Sequence, residues 1–173
     1  MKHSRVTAGS FAAALKPQAA LLIPLAGLAA SLAGALPARG QEVAFTEHVI
    51  STAADGAWSV FATDLDGDGD IDVLSASGLD DKIAWYENDG GSPPTFTEHV
   101  ISANADGAAS VFATDLDGDG DTDVLSASFF DDKIAWYEND GGSPPTFTER
   151  VISTAADNAR SVFAADVDGD GDT

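Results

Sequence analysis

The sequence predicts an all-β fold built from repeated units of four short antiparallel strands, on the basis of three observations. A segment of 51 residues occurs twice in full and a third time in part. Each unit contains four short stretches with the residue types and the alternation of β-strands. Between them lie Gly, Pro, Asn and Asp, which favour turns. An internal repeat of this length is typical of folds in which each unit buries its apolar faces against its neighbours.

One recurring stretch of sequence defines the repeat. "FTEHVIS" begins at Phe45 and again at Phe96, and "FTERVIS" begins at Phe147, so the spacing is 51 residues both times. The two full copies differ at only six of 51 positions, which indicates a recent duplication. This spacing divides the chain into two full repeats and a shortened third one: 45–95, 96–146 and 147–173.

Each full repeat has four predicted strands, which is the size of one β-propeller blade. An isolated blade cannot bury both its faces, whereas stacked blades can. We therefore expect Trp85, Trp136, Phe61 and Phe112 to pack between blades, because aromatic residues recur at these places; a ligand-stacking site is the alternative. In the first repeat the predicted strands are "FTEHVI" (45–50), "SVFATD" (59–64), "IDVLSAS" (71–77) and "KIAWYEN" (82–88).

An acidic loop, "TDLDGDGDIDVL" at 63–74, follows the second predicted strand. Counted from Asp64, carboxylates occupy positions 1, 3, 5, 7 and 9, and Gly69 occupies position 6. Like charges at this density repel each other, and a bound cation would offset them. Calcium takes six to eight oxygen ligands, and the EF-hand loop uses the same early positions and the same Gly. Position 12 is Ser75 where an EF-hand needs Glu, so the sequence predicts an EF-hand-like calcium loop that joins two strands.

The predicted metal ligands recur in all three copies. Zinc is disfavoured because the loops lack Cys and His, and magnesium because it takes fewer carboxylates and more water. A solvated or disordered acidic tract would not be expected to keep this strict alternation. The first site is predicted to use the side chains of Asp64, Asp66, Asp68 and Asp72 and the carbonyl of Asp70; the second uses Asp115, Asp117, Asp119, Asp121 and Asp123 in the same roles; the third has Asp166, Asp168, Asp170 and Asp172 and lacks position 9.

The phrase "VFATDLDGDGDIDVLSAS", followed by "KIAWYENDG", resembles the FG-GAP-like, or VCBS, repeats of exported bacterial proteins. Those repeats are similar to the blades of the integrin α-subunit propeller. The resemblance covers 45–173 and implies a β-propeller in which a D-x-D-x-D-G-x-x-D loop joins the first two strands of a blade and holds calcium. The literal Phe-Gly and Gly-Ala-Pro signatures are missing. About two and a half blades are present where the family usually has seven, so we expect a fragment of a larger propeller or an assembly of several copies.

Residues 1–40 have the layout of a secretory signal peptide. Lys2, Arg5 and Lys16 precede an apolar run from Ala19 to Leu36, and small residues follow the run. A membrane-anchoring helix is the alternative, because the run has about the length that spans a bilayer. Its Ala and Gly content and its internal proline favour a cleaved signal. We therefore expect a secreted, cell-surface or periplasmic protein with no membrane span in the mature chain.

The charge of the chain excludes one class of partner and indicates another. The formal net charge is -21, and without 1–40, which holds four of the eight basic residues and none of the 29 acidic ones, it becomes 4 minus 29, or -25. Nucleic acid is excluded as a partner because phosphate binding needs the opposite sign. Cations are the expected partners. The chain has no Cys, so disulfides cannot stabilise the fold.

Enzyme motifs such as G-x-S-x-G and H-E-x-x-H are missing from the sequence, and we do not expect an enzyme. His48 and His99 recur, but the third copy has Arg150, which is typical of a strand surface. We expect a secreted calcium-binding β-propeller module that binds an extracellular protein or glycan. The alternatives are the propeller part of a larger secreted lyase or hydrolase and a structural repeat spacer. Trp58 and the turn residues 129–130, which differ between copies, are candidates for ligand contact, with neutral drift as the alternative.

Overall fold

The computed structural model describes residues 44–171 and residue 173. Within them the chain forms eight β-strands and no helix. The strands are short, six or seven residues each, and hydrophobic or small residues dominate their buried positions. They are β1 (Ala57–Thr63), β2 (Asp72–Ser77), β3 (Lys82–Asn88), β4 (Phe96–Ser102), β5 (Ala108–Thr114), β6 (Asp123–Ser128), β7 (Lys133–Asn139) and β8 (Phe147–Ser153).

The strands form two four-stranded antiparallel sheets, in which every strand pairs with its neighbours in chain order. The first sheet has the order β1-β2-β3-β4 and the second has the order β5-β6-β7-β8. The register is the same in both: Phe61 lies opposite Leu74 in the first sheet, and Phe112 lies opposite Leu125 in the second. The prediction of an all-β fold made of four-stranded, blade-like units is therefore confirmed.

The sheets and the sequence repeats are out of phase by one strand. β4 begins the second sequence repeat, yet it pairs with β3 of the first, with Phe96 opposite Asn88. The strand predicted at 45–50 is wrong for this structure, since the residues there have no secondary structure and belong to neither sheet. A strand needs a neighbour for its N–H and C=O groups, and among the described residues none pairs with this segment. The sheets therefore do not coincide with the sequence repeats, whose boundaries are 45–95, 96–146 and 147–173.

The main core lies between the two sheets, where β5 packs on β1 and β2. Leu74 and Trp85 from the first sheet and Val111 and Tyr137 from the second belong to one continuous cluster of buried residues. Val111 is 4% exposed, whereas Val60, at the same place in the preceding repeat, is 68% exposed. A valine at this position of the repeat is therefore buried where a preceding sheet covers it and exposed where none does.

Aromatic rings link successive copies, as predicted for Phe61 and Phe112. The ring centroids of these two residues lie 5.0 Å apart, and Phe112 lies 4.7 Å from Phe163 of the third copy. Such tilted ring pairs add to the hydrophobic burial. Trp85 is fully buried in the core, but Trp136 is only partly buried.

The two tryptophans share a second feature, since each has the side chain of a residue on the next strand lying against its ring. The His99 ring stacks on Trp85 at 4.6 Å, and its Nε2 is 2.8 Å from a carboxylate oxygen of Glu87. In the second sheet Arg150 lies over the Trp136 ring, 5.5 Å from its centroid, and pairs with Glu138. His99 and Arg150 therefore make equivalent contacts on the sheet surface, each with a Trp ring and with a Glu carboxylate.

The strands have two distinct ends, which we call the loop end and the turn end. The acidic loops, 64–71 and 115–122, lie at the loop end together with the connectors at 89–95 and 140–146. The tight turns at 78–81 and 129–132 and the links between sheets lie at the turn end. At this end the N–H of Gly107 donates to the Asp81 side chain over 2.9 Å and ties the second sheet to the first.

We expect Val111→Ala to lower the free energy of unfolding by about 2 kcal/mol, because it removes two methyl groups from the core between the sheets. Val60→Ala is the matched control, since the same groups are exposed there, and its effect should stay within about 0.5 kcal/mol. Urea unfolding followed by circular dichroism measures both. Equal losses would contradict the packing of β5 on the first sheet.

Candidate metal centre

The acidic loops connect the first two strands of each sheet. The loop at 64–71 leads from β1 to β2, and the loop at 115–122 leads from β5 to β6. The third acidic segment begins at Asp166, after a stretch without strand structure. All three segments share three bonds in which a loop N–H donates to an aspartate side chain, so these contacts form in a segment that follows a strand and in one that does not.

The first aspartate of each loop accepts two backbone N–H groups from later in the same loop. Asp64 accepts the N–H of Gly67 on Oδ1 over 2.8 Å and the N–H of Gly69 on Oδ2 over 3.1 Å. Both glycines have positive φ angles, 77° and 97°, which residues with a Cβ rarely adopt. Asp115 and Asp166 make the same two bonds in their own loops.

The next aspartates form successive Asx turns, which explains the alternation of Asp with other residues. A carboxylate at one position accepts the backbone N–H two residues further on, and an Asp at every second position repeats this contact along the loop. The pairs are Asp66 with Asp68 N–H, Asp68 with Asp70 N–H, and the equivalents Asp117 with Asp119, Asp119 with Asp121, and Asp168 with Asp170.

The aspartate at position 9 is buried and holds the loop to the sheet. Asp72 is 1% exposed, and its Oδ2 accepts the N–H of Leu65 over 3.0 Å while its Oδ1 accepts the N–H of Asn88 over 2.9 Å. Asp123 is equally buried and has the equivalent two partners. Burial raises the pKa of Asp72, and the two N–H donors oppose this shift. The buried carboxylate therefore gains stability from any further positive charge placed beside it.

Three carboxylates converge in each loop. One oxygen each from Asp64, Asp66 and Asp72 lie within 4.8 Å of one another. The second loop brings together Asp115, Asp117 and Asp123, and the third brings together Asp166, Asp168 and Asp170. Burial also raises the pKa of Asp66, with the charges of neighbouring carboxylates adding to the effect. Each loop thus concentrates negative charge in a small volume.

The remaining predicted ligands lie outside these triads. Asp68 and Asp119 are exposed and take part in the Asx turns. The carboxylate of Asp70 points to the connector, where a Cβ added to Gly90 would lie 2.2 Å from Oδ2. Only glycine fits there, and Gly141 beside Asp121 repeats the arrangement. Asp172 lies outside the described residues. The metal-binding roles of all fourteen aspartates stay predictions.

The donor set fits a hard divalent cation. Each triad offers carboxylate oxygens only, which suit calcium or magnesium and not the softer metals. In the first and second loops one of the three carboxylates is buried, where a cation would be least screened by water. Asp64, Asp66 and Asp72 would hold the ion in the first loop, and it would supply structural charge compensation.

The sequence did not predict the role of one repeated position, which two asparagines occupy. Asn88 and Asn139 occupy the same place in their repeats, and each donates its backbone N–H to the position-9 aspartate and its side-chain Nδ2 to a loop carbonyl. The sequence contains a relevant pattern, since the Asn of "YEND" lies 16 residues after that aspartate in both repeats. An Asn at the end of a predicted strand and before Asp-Gly is also a common turn residue, so the pattern alone does not indicate a contact with the acidic loop.

The fold and the loops define a β-propeller-type repeat protein with an acidic loop in each unit. The family model for the FG-GAP-like repeat matches residues 64–126 and 115–173, which together cover more than half of the chain. The chain therefore belongs to the FG-GAP-like repeat family, and the resemblance described above is confirmed. Both matches begin at the first aspartate of an acidic loop. No curated protein and no solved structure matches the chain.

We expect Asp72→Ala to lower the free energy of unfolding of the calcium-free protein by about 1–3 kcal/mol. The change leaves the N–H groups of Leu65 and Asn88 without their acceptor, and this loss outweighs the relief of a buried charge. Asp68→Asn is the control, because that side chain is exposed and the amide oxygen of asparagine can still accept the Asp70 N–H. Its effect should be near zero. Unfolding in a chelator measures both, and equal losses would show that Asp72 does not hold the loop to the sheet.

Proposed function

We propose that this chain is a calcium-stabilised repeat module of an exported protein, and that its blades present a surface for an extracellular protein or glycan. The observation that carries the proposal is the carboxylate triad that recurs in each acidic loop. The role assigned to the chain is binding and not catalysis.

Calcium is the cation that the loops support best. Its coordination shell takes several carboxylates with flexible geometry, whereas magnesium keeps most of its water. The described loops follow the early positions of a calcium loop, and their backbone is already closed by Asx turns. A bound ion would offset two charges in each triad, which supports a structural role in a chain of net charge -21.

The turn end supports a role in partner binding. Trp58, Leu79 and Phe130 are 53%, 69% and 63% exposed there. Trp58 lies next to Gly78, which precedes Leu79, and a Cβ added to Gly107 would touch the Phe130 ring. These positions also differ between repeats. Exposed aromatic and aliphatic groups at one end of the strands are typical of protein and glycan contacts, and we refer to these three residues as the patch.

Export is supported by the signal-like composition of residues 1–40, which lie outside the described residues. FG-GAP-like repeats are typical of extracellular proteins. In the part of the chain that the structure describes, no helix is long and apolar enough to cross a membrane. An exported chain without Cys gains its stability from packing and, in this proposal, from calcium.

We expect calcium to bind each intact loop and to stabilise the fold. At a free concentration 100 times the dissociation constant, each occupied site should add about 2.7 kcal/mol to the free energy of unfolding. Isothermal titration calorimetry measures the number of sites, and Asp66→Ala and Asp117→Ala should each remove one. Asp106→Ala, an exposed carboxylate at the turn end, should remove none. No heat of binding at millimolar calcium would contradict the proposal.

We expect the patch of Trp58, Leu79 and Phe130 to be required for capture of a ligand by the calcium-loaded protein. A glycan array and a panel of extracellular matrix proteins serve as probes. Trp58→Ala and Phe130→Ala should reduce capture at least tenfold and leave calcium affinity unchanged, because the patch is at the opposite end of the strands. Val60→Ala, an exposed apolar residue outside the patch, is the control. Capture that survives both patch substitutions would contradict this surface.

A further inference from the structure

We infer that Asn139 couples the first two acidic loops, so that a cation bound in one loop raises the affinity of the other. This inference rests on the proposed calcium binding and goes beyond it. Asn139 is at the end of β7, and it is 3% exposed although its side chain is polar. A polar side chain at that depth needs hydrogen-bond partners, and those of Asn139 lie in two different loops.

The side chain of Asn139 bridges the two loops. Its Nδ2 donates to the carbonyl of Thr122 in its own loop over 2.9 Å and to the carbonyl of Leu65 in the preceding loop over 3.4 Å. Leu65 lies between two predicted ligands, Asp64 and Asp66. The backbone carbonyl that Asn139 contacts is therefore inside the segment that a bound cation would order.

A continuous path of hydrogen bonds connects the two buried aspartates. The Leu65 N–H donates to Asp72, and the Leu65 carbonyl accepts from the Asn139 side chain. The Asn139 N–H then donates to Oδ1 of Asp123 over 2.8 Å. Two residues thus join the position-9 carboxylates of successive loops, and all of these bonds lie in buried surroundings.

Asn88 provides an internal control for this arrangement. It makes the same bonds within its own loop, from its N–H to Asp72 over 2.9 Å and from its Nδ2 to the Ile71 carbonyl over 3.0 Å. Within the described residues it has no bond to a preceding loop. The difference between the two asparagines is therefore the bridge itself.

The bridge couples the loops through conformational order. A loop without a cation contains repelling carboxylates, and its backbone is free to fluctuate more. A cation in the first loop would fix the Leu65 carbonyl and with it the Asn139 side chain. The second loop then needs less ordering when it binds its own cation. One net hydrogen bond, about 1 kcal/mol, corresponds to a coupling of roughly fivefold, and coupling of this kind is reciprocal. Asn139 is a positioning residue in this scheme and not a ligand.

The test measures calcium affinity loop by loop with nuclear magnetic resonance. The amide signals of Gly69 and Gly120 report the two loops separately, because these groups donate to Asp64 and Asp115. The affinity of the first loop is measured with the second loop intact and with it disabled by Asp117→Ala. The same pair of measurements is repeated in Asn139→Ala and in Asn88→Ala. The charge lost with Asp117 affects all three backgrounds alike, so differences between backgrounds isolate the bridge.

In the unaltered chain, we expect Asp117→Ala to lower the calcium affinity of the first loop. This loss of affinity should be roughly fivefold smaller in the Asn139→Ala background. The Asn88→Ala background should behave like the unaltered chain. Asn139→Leu keeps the side-chain volume without the donor and replaces Asn139→Ala if the latter does not fold. Both loops binding calcium with the same coupling in every background would overturn the inference and leave the proposed function standing. Failure of both loops to bind calcium would overturn both.

Discussion

A buried carboxylate joins each sheet to its acidic loop, and the other features of the structure depend on it. Asp72 and Asp123 each accept one N–H from the start of the loop and one from the end of the third strand of the sheet. The start of the loop, the start of the second strand and the end of the third strand thus meet at one side chain. The same carboxylate is the inner member of the triad, so the group that organises the fold is also the group that most needs a cation beside it.

The sequence predicted most of the strands and the acidic loops better than it predicted which strands form one sheet. Alternating apolar residues and the spacing of the aspartates depend on local contacts, and both the strands and the loops follow them. The pairing of β4 with β3 depends on which segment lies beside Asn88 in space, and a repeat has no intrinsic starting point. Asn139 was missed for a related reason, because its bond to the Leu65 carbonyl joins residues that are distant in sequence.

The two ends of the strands differ in how much the repeats vary. At the loop end, Asp72 and Asp123 accept equivalent backbone N–H groups, and only Ile71 and Thr122 differ in sequence between the loops. At the turn end, Trp58 and Ala109 occupy equivalent places, as do Leu79 and Phe130. Hydrogen bonds from several backbone groups constrain the first end, whereas an exposed turn tolerates many side chains. The hydrogen bonds that repeat between the sheets and the side chains that vary between them thus lie at opposite ends of the strands.

The offset between sequence repeat and sheet has a consequence for the way such a chain can grow. Each sheet takes its last strand from the following repeat, so one unit begins before the previous sheet is complete. A gene duplication of 51 codons therefore yields a complete new sheet wherever in the unit the breakpoints fall. The new copy also inherits both halves of the contact that joins neighbouring sheets. Lengthening the array needs no new interface, and selection can act on the exposed turns alone.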